Sequence, residues 1–263
     1  MIGNRLRMWM GGKTFRVRVN DEILRLPRQL YGEIGVDMGM RRGTYFEVPA
    51  MEGLRRVLRP GDCVVDAGCS FGILTCLMAR MVGAGGSVHC FEANEEVLGW
   101  AREIVKENVP GGGVRFVHAC LSDRTGGEAD FYVVPGKWSV ASTRNTDIVQ
   151  FHPESERRRV PMLTLDDYCE GAGIAPRCIK LDVEGSECLV LEGARKTLER
   201  HHPALVVETH GLEIEGIGGS VGELCAALEG MGYELTDLVS LQRVTGEEYS
   251  RENGSRIWYF LAV

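Results

Sequence analysis

Residues 63–72 read CVVDAGCSFG, and this segment constrains the fold of the chain more than any other. A short apolar run ends in an acid, Asp66, and a loop with Gly68 and Gly72 follows. An apolar pattern at helical spacing then starts at Ile73. This order predicts a buried strand, a tight loop and a helix. Such a unit opens an α/β sheet whose ligand binds beyond the carboxyl end of the strand.

The loop departs from the two common phosphate-binding patterns. The first glycine of a dinucleotide pattern G-x-G-x-x-G is replaced by Asp66, and the lysine of a phosphate loop is missing. A carboxylate in this position would repel phosphate, but it suits a ligand with ammonium or sulfonium charge. S-adenosylmethionine carries both charges, so the loop favours this cofactor.

A second strand pattern, at 87–92, also ends in an acid. Glu92 stands 20 residues after Gly72, where nucleotide-binding α/β proteins hold the hydroxyls of a ribose. Asp66 and Glu92 could instead only cap the helices that follow them. Two acids at successive strand ends, around a glycine loop, favour the nucleoside interpretation.

Length, charge and cysteine spacing restrict the class of protein. The 263 residues suffice for one α/β domain with an extension. The net charge of −7 argues against general affinity for nucleic-acid backbones, and no apolar run reaches the roughly 20 residues of a membrane span. The N-terminus lacks the apolar core of a signal peptide, and none of the nine cysteines forms a C-x-x-C pair. We expect a cytoplasmic protein without a nucleic-acid or membrane partner and without a zinc site.

The patterns along the chain predict the order of its elements. Strands are predicted at 14–19, 63–66, 87–92, 114–119, 129–134, 159–163, 178–183, 204–208, 233–238 and 256–262, and helices at 53–58, 72–82, 95–108, 186–200 and 220–231. Residues 53–263 should therefore form a Rossmann-like three-layer α/β/α sandwich, mostly parallel with an antiparallel C-terminal edge strand. The alternation of strands and helices is interrupted at about 124–163, which indicates an inserted excursion. Residues 1–52 are interpreted as a cap or arm that could join copies of the chain in a homo-oligomer.

A second cluster of charge lies in IKLDVEGSE at 179–187. Strand alternation puts Lys180, Asp182 and Glu184 on one face. Charges on a central strand must pair or face a cleft. Lys180 and Asp182 could form a buried pair that only orients the strand. The functional interpretation places Asp182 at the carboxyl end of the strand, beside the substrate.

Several segments together resemble a known family: VDAG at 65–68, FEAN at 91–94, LSD at 121–123, LDDY at 165–168, IKLDVEG at 179–185 and VETH at 207–210. They resemble the FkbM family of S-adenosylmethionine-dependent methyltransferases over about residues 44–212. The chain departs from the family at 69–71, where Ala-Asn-Ile is common, and at Ala93, where proline is common. The likeness implies the class I methyltransferase fold and, most often, O-methylation of a sugar or other natural-product hydroxyl.

The resemblance and the motifs assign residues to the cofactor in loops at three strand ends. These residues are Asp66, Gly68, Ser70, Phe71, Gly72, Glu92, Ala93, Asn94, Ser122 and Asp123. The first five are expected at the methionine end, Glu92 at the ribose, and Ala93 and Asn94 beside the adenosine. Ser122 and Asp123 should reach the adenine amino group, unless they form an ordinary turn. Tyr45 and Glu47 are expected to fold over the methionine moiety.

Methyl transfer to a hydroxyl benefits from a general base. The candidates are His210 and Asp182, with Lys180 either lowering the pKa of the hydroxyl or orienting Asp182. His210, beside Glu208, could titrate near neutral pH, or it could be an ordinary loop histidine. Asp182 with Glu184 is an option for a divalent cation, but the spacing does not support a metal and none is predicted.

The expected activity is O-methylation of a small hydroxyl-bearing molecule, such as a sugar, a glycoside or a polyketide-like compound. Its pocket should be shaped by residues 1–50 and 124–158. Two alternatives stay open: an NAD-dependent Rossmann oxidoreductase, and a methyltransferase-like binding protein without catalysis. Stabilisation by NAD would favour the first alternative, and cofactor binding without turnover would favour the second.

Overall fold

The computed structural model describes residues 8–11, 13–19, 22–31, 48–142, 152–254 and 256–263. Tyr45 and Glu47 lie outside these residues. The strands are β1 (Met8–Gly11), β2 (Thr14–Val19), β3 (Glu22–Pro27), β4 (Cys63–Ala67), β5 (Ser87–Glu92), β6 (Val114–His118), β7 (Cys120–Leu121), β8 (Glu128–Val134), β9 (Lys137–Ser142), β10 (Glu156–Leu163), β11 (Cys178–Leu181), β12 (Ala204–His210), β13 (Leu235–Asp237), β14 (Arg243–Val244) and β15 (Ile257–Ala262). The helices are α1 (Val48–Val57), α2 (Ile73–Val82), α3 (Glu95–Asn108), α4 (Leu165–Ala172), α5 (Glu187–Glu192), α6 (Arg195–His201), α7 (Gly211–Gly216), α8 (Val221–Gly230) and α9 (Gly246–Asn253).

The central sheet has eight strands in the order β14-β13-β15-β12-β11-β4-β5-β6. The run from β12 to β6 is parallel, whereas β15, β13 and β14 pair antiparallel at the C-terminal edge. Strand order reverses between β4 and β11, so the crevice beyond their carboxyl ends is where this kind of sheet binds ligands. The mostly parallel sheet with an antiparallel C-terminal edge is confirmed.

Each face of the sheet buries an apolar layer, as the helical spacing of the sequence predicts. On one face, α1, α2 and α3 contribute Leu54, Leu77 and Ile104, all buried. On the other face, α6 and α8 contribute Leu198 and Leu224. Burying such a side chain stabilises the fold by about 1.5–3 kcal/mol. The two layers of helices and the sheet between them form the predicted three-layer sandwich.

The N-terminal strands form a separate sheet, β1-β2-β3. The buried apolar side chains of β2 and β3 belong to the same core as those of α2 and α3. Asn108, at the end of α3, accepts a hydrogen bond from the Arg25 amide at 2.7 Å and donates one to the Arg25 carbonyl at 2.7 Å. Arg80 pairs with Glu22 at 2.6 Å. The N-terminal sheet is therefore fixed on the helices of its own chain, and homo-oligomerisation through this region stays a prediction.

The inserted excursion is a small sheet of order β7-β10-β8-β9. Its strands β8 and β10 confirm the two strands predicted at 129–134 and 159–163. A small cluster of buried side chains, with Phe131 and Val160, packs against Ala93 in the loop after β5. The excursion therefore covers the side of the main sheet where the second acid lies.

Three predicted boundaries need correction. The strand predicted at 178–183 ends at Leu181, because the next residues turn, with Glu184 at φ 53°. The helix predicted at 186–200 is broken into α5 and α6 around Gly193, where a Cβ would lie 2.0 Å from the Ser122 carbonyl oxygen. The boundary after residue 52 falls inside α1, because the helix starts at Val48. We therefore propose that the α/β domain begins with α1.

No helix in the described parts of the chain is both long and apolar enough to cross a membrane.

We predict that Asn108→Ala lowers the free energy of unfolding by about 1–2 kcal/mol, because two hydrogen bonds between α3 and β3 are lost. The matched control is Glu107→Ala, which removes an exposed ion pair with the same Arg25 and should stay within about 0.5 kcal/mol of the wild type. Urea unfolding measures both. Equal losses in the two variants would show that Asn108 does not fix the N-terminal sheet.

Candidate active site

The glycine loop at 67–72 lies between the ends of β5 and β11. The amides of Gly68 and Cys69 both donate to the Phe91 carbonyl, at 3.0 and 2.9 Å, and the Asp182 amide donates to the Ala67 carbonyl at 3.1 Å. Gly68 has φ 78°, and a Cβ on it would lie 1.7 Å from the Asp182 carbonyl oxygen. Only glycine permits this approach, which brings the loops after β4 and β11 together.

Lys180 lies beneath this loop and connects three groups. Its Nζ donates to the Gly68 carbonyl at 2.7 Å and to Asp182 Oδ2 at 2.9 Å, and it lies 3.6 Å from Asp66 Oδ1. Its side chain is almost completely buried. The contacts match the interpretation in which Lys180 orients Asp182.

Asp66 is fully buried, and its side chain faces the core and not the cleft. Its Oδ2 accepts a hydrogen bond from Thr75 Oγ1 at 2.6 Å. Burial raises the pKa of Asp66, while Lys180 and the Thr75 hydroxyl act in the opposite direction. Asp66 therefore stabilises the glycine loop from inside the core. It can affect a bound cofactor only indirectly, through the loop and Lys180.

Glu92 bridges the loops after β4 and β5. Its Oε2 accepts a hydrogen bond from the Ser70 amide at 2.9 Å, and its Oε1 accepts one from the Asn94 amide at 2.8 Å. Burial raises the pKa of Glu92, and these two N–H groups oppose the shift. Each carboxylate oxygen still has a lone pair, so the half-buried group can accept hydrogen bonds from ribose hydroxyls. The arrangement fits the nucleoside part of S-adenosylmethionine.

The remaining side chains of the first two loops have local roles. Phe71 is buried in the apolar core, and Gly72, at φ 75°, sits where a Cβ would lie 3.2 Å from Ala101. Asn94 caps α3, since its Oδ1 accepts from the amides of Glu96 and Val97. These residues can meet a cofactor through their backbone. The Ser70 side chain is exposed at the cleft.

Ser122 and Asp123 follow β7, where the Ser122 hydroxyl donates to Asp123 Oδ1 at 2.9 Å. Both residues line a cavity of about 390 Å³ that also includes Arg159, Ser186 and Leu189. The walls of the cavity carry both acidic and basic side chains. The cavity lies between the excursion and the start of α5. The sequence pattern predicted contacts for this pair without predicting the cavity.

A histidine surrounded by acids lies at the ends of β11 and β12. His210 is only 3% exposed, and its Nδ1 lies 2.8 Å from Glu187 Oε1. Its Nε2 lies 3.4 Å from Glu184, 3.8 Å from Asp182 and 4.0 Å from Glu208. From the sequence, Glu208 was expected only as a neighbour of His210, and no role was predicted for Glu187. The available signal for Glu187 was its position at the end of the charged string IKLDVEGSE.

The neighbouring carboxylates determine the protonation of the His210 ring. Burial by itself lowers the pKa of His210, but the hydrogen bond to Glu187 and the charges of Glu184 and Asp182 raise it to about 10. The ring is therefore protonated on both nitrogens at neutral pH. This corrects the expectation that His210 titrates near neutral pH.

Asp182, Glu208 and His210 also satisfy the geometry of a metal site. Each offers one ligand atom, and these atoms all lie within 4.8 Å of one another. The sequence analysis considered Asp182 with Glu184, but the structure places Glu208 in the group instead.

We predict that Lys180→Met lowers the free energy of unfolding by about 3–5 kcal/mol, because it leaves Asp66 and Asp182 without their buried cation. Lys196→Met, at an exposed position on α6, should stay within about 0.5 kcal/mol of the wild type. Chemical unfolding of both variants checks this. A Lys180 variant as stable as the Lys196 variant would contradict the supporting role of the buried lysine.

Solved structures similar to the chain share a low sequence identity with it. They include a methyltransferase FkbM from Methylobacillus flagellatus KT (TM-score 0.47, 15% identity, 88% of this chain and 60% of that chain). Another is a SAM-dependent O-methyltransferase from Thermotoga maritima (TM-score 0.45, 13% identity, 97% and 84%). A third is fibrillarin from Aeropyrum pernix with natively bound S-adenosyl-L-methionine (TM-score 0.43, 12% identity, 98% and 99%).

No curated protein matches the sequence significantly. The family model described as the methyltransferase FkbM domain, however, matches residues 63–235. This match covers more than half of the chain. It includes the glycine loop, Glu92 and the cluster of Asp182, Glu208 and His210, which we call the acid–histidine cluster. The chain belongs to the FkbM family of S-adenosylmethionine-dependent methyltransferases.

Proposed function

We propose that this methyltransferase acts on a hydroxyl group of a small molecule such as a sugar, a glycoside or another natural product. The observation that carries the proposal is the cluster of Asp182, Glu208 and His210 beside the glycine loop. A hydroxyl is a poor nucleophile until its proton leaves, and a carboxylate positioned next to the methyl donor can accept that proton.

Bound S-adenosylmethionine supplies an electrophilic methyl group on a sulfonium. For its binding, we assign Glu92 to the ribose hydroxyls, and the backbone around Gly68 and Ser70 to the methionine end. Ala93 and Asn94 would lie beside the adenosine, and Ser122 and Asp123 would reach the adenine. Support comes from the two open lone pairs of Glu92 and from the position of the loop at the reversal of strand order.

The acceptor hydroxyl would lie next to Asp182. Lys180 bonds both Asp182 and the Gly68 carbonyl, so the same lysine fixes the distance between the acid cluster and the cofactor loop. Lys180 is in this assignment a positioning residue, since it is buried and engaged by the protein. Holding two reactants in a productive geometry contributes about 7–11 kcal/mol in well-oriented model reactions.

His210 would orient the acceptor and the neighbouring acids. Its ring is fixed by Glu187, and its other nitrogen points to the carboxylate oxygens of Asp182 and Glu208. We therefore assign the acceptance of the hydroxyl proton to the cluster as a unit and not to an isolated neutral histidine.

We predict that Glu92→Gln weakens the binding of S-adenosylhomocysteine about 10-fold, because a charged hydrogen-bond acceptor is lost. Glu95→Gln, an exposed acid on the next turn, should leave the affinity within about 3-fold of the wild type. Calorimetric titration measures both. If NAD binds the wild-type protein and S-adenosylhomocysteine does not, the oxidoreductase alternative replaces the proposal.

We predict that Asp182→Asn lowers the turnover number about 10²–10⁴-fold while the affinity for S-adenosylmethionine changes less than about 3-fold, because the amide oxygen still accepts from Lys180. Mass spectrometry across candidate sugars, glycosides and polyketides detects the gain of one methyl group, and the responsive acceptor is used for kinetics.

Asp167→Asn is the matched control, since this acid is exposed on α4 and belongs neither to the cofactor loops nor to the acid–histidine cluster. Full turnover in both Asp182→Asn and His210→Ala would contradict the assigned cluster. Cofactor binding without turnover on any acceptor would favour the non-catalytic binding protein.

A further inference from the structure

Three ligand-type atoms converge at the carboxyl ends of β11 and β12. They belong to Asp182, Glu208 and His210 and lie within 4.8 Å of one another. The three side chains are 16%, 9% and 3% exposed, respectively. The group is thus largely removed from water but keeps an opening at Asp182, on the side of the glycine loop.

The histidine of this group is held in the orientation of a metal ligand. Its Nδ1 bonds to Glu187 Oε1 at 2.8 Å, and the same oxygen accepts from the Gly185 amide at 3.2 Å. Glu187 is fully buried, so the ring has a fixed partner. A carboxylate on one ring nitrogen keeps a proton there, and a metal that displaces the proton of the second nitrogen would bind the lone pair that this leaves.

The second ring nitrogen points into the group without a hydrogen bond of its own. Among the described residues, Nε2 of His210 has carboxylate oxygens at 3.4–4.0 Å but no hydrogen-bonding partner. The oxygens belong to Glu184, Asp182 and Glu208. A buried nitrogen facing carboxylate oxygens at this spacing leaves room for an ion between them.

The carboxyl groups around His210 also favour the binding of a cation. The carboxylates of Asp182, Glu184, Glu187 and Glu208 all lie within 4.0 Å of the His210 ring nitrogens. Lys180 pairs with the first of them. The carboxyl groups around the ring therefore outnumber the basic groups His210 and Lys180, and a bound cation would help to compensate their partly buried charge.

We propose that Asp182, Glu208 and His210 bind a divalent cation of the Mg²⁺ or Mn²⁺ type, which in turn binds the acceptor hydroxyl; this rests on the proposed function. Two carboxylates and one imidazole suit such cations, which complete their coordination with water or substrate oxygens. Glu187 orients the histidine, and Glu184, 60% exposed at the rim, stays outside the ligand set.

The bound cation would lower the pKa of the hydroxyl that it contacts. Because Asp182 and Glu208 are then ligands of the cation, the hydroxyl proton passes from the cluster to water at the exposed rim, and the oxygen attacks the methyl carbon. The new C–O bond forms as the C–S bond breaks, and its electron pair stays on sulfur. The products are a methyl ether, S-adenosylhomocysteine and the released proton.

The test uses Mn²⁺ alone as the probe, with full-length protein stripped by a chelator. Electron paramagnetic resonance of free Mn²⁺ should report one bound ion per chain. We expect Asp182→Asn and Glu208→Gln each to weaken this binding at least 10-fold. Glu184→Gln changes a neighbouring carboxyl group that is not a ligand, and should change the affinity less than 3-fold.

A second readout uses the wild-type protein, in case a variant fails to fold. Bound Mn²⁺ should broaden the ring proton signals of His210 in NMR spectra, while those of His202, stacked on Tyr233 away from the cluster, keep their width. Absence of saturable Mn²⁺ binding, or equal weakening in all three carboxylate variants, would overturn the site. Binding of S-adenosylhomocysteine is measured on the same samples. If it binds and Mn²⁺ does not, only the cation site fails, whereas loss of both also removes the proposed function.

Discussion

The contacts of one buried ammonium group organise this active site. Lys180 Nζ bonds the Gly68 carbonyl and Asp182 and lies beside Asp66. It thereby joins the glycine loop, to which we assign the cofactor, to Asp182, beside which we place the acceptor. Both loops leave the sheet at neighbouring strands, and the strand order reverses there. In the proposed function, the buried charge that has to be paired therefore also sets the distance between the two substrates of the methyl transfer.

The acids of the site divide into two groups with different surroundings. Asp66 and Glu92 serve the cofactor side: the first is buried under the loop, and the second keeps lone pairs at the cleft. The other group surrounds His210, where the carboxylates raise the pKa of the ring to about 10. We infer that this excess of carboxyl groups favours ligands of positive charge in the cleft. Phosphate-bearing cofactors would meet repulsion at the same place.

Local patterns predicted much of this structure. The strand at 87–92 and the helix at 95–108 agree with the structure to the residue, because alternation and helical spacing are properties of a single segment. Packing between distant segments was not predictable in the same way. The break around Gly193 depends on the Ser122 carbonyl, which no local pattern reveals.

The same limit applies to the site. The sequence placed Asp66, Glu92 and Asp182 at the ends of strands, and the structure puts all three there. It could not tell that Asp66 faces the core, nor that Glu187 would reach the ring of His210 from the next helix. Such relations depend on how β11, β12 and α5 meet, and that is decided by tertiary packing.

The most direct measurement is a crystal structure of the protein with S-adenosylhomocysteine. The account predicts both ribose hydroxyls on Glu92, the amino-acid tail over Gly68, and Lys180 still bonded to the Gly68 carbonyl and to Asp182 beneath it. A cofactor bound away from Glu92, or a Lys180 side chain turned out of this contact, would contradict it.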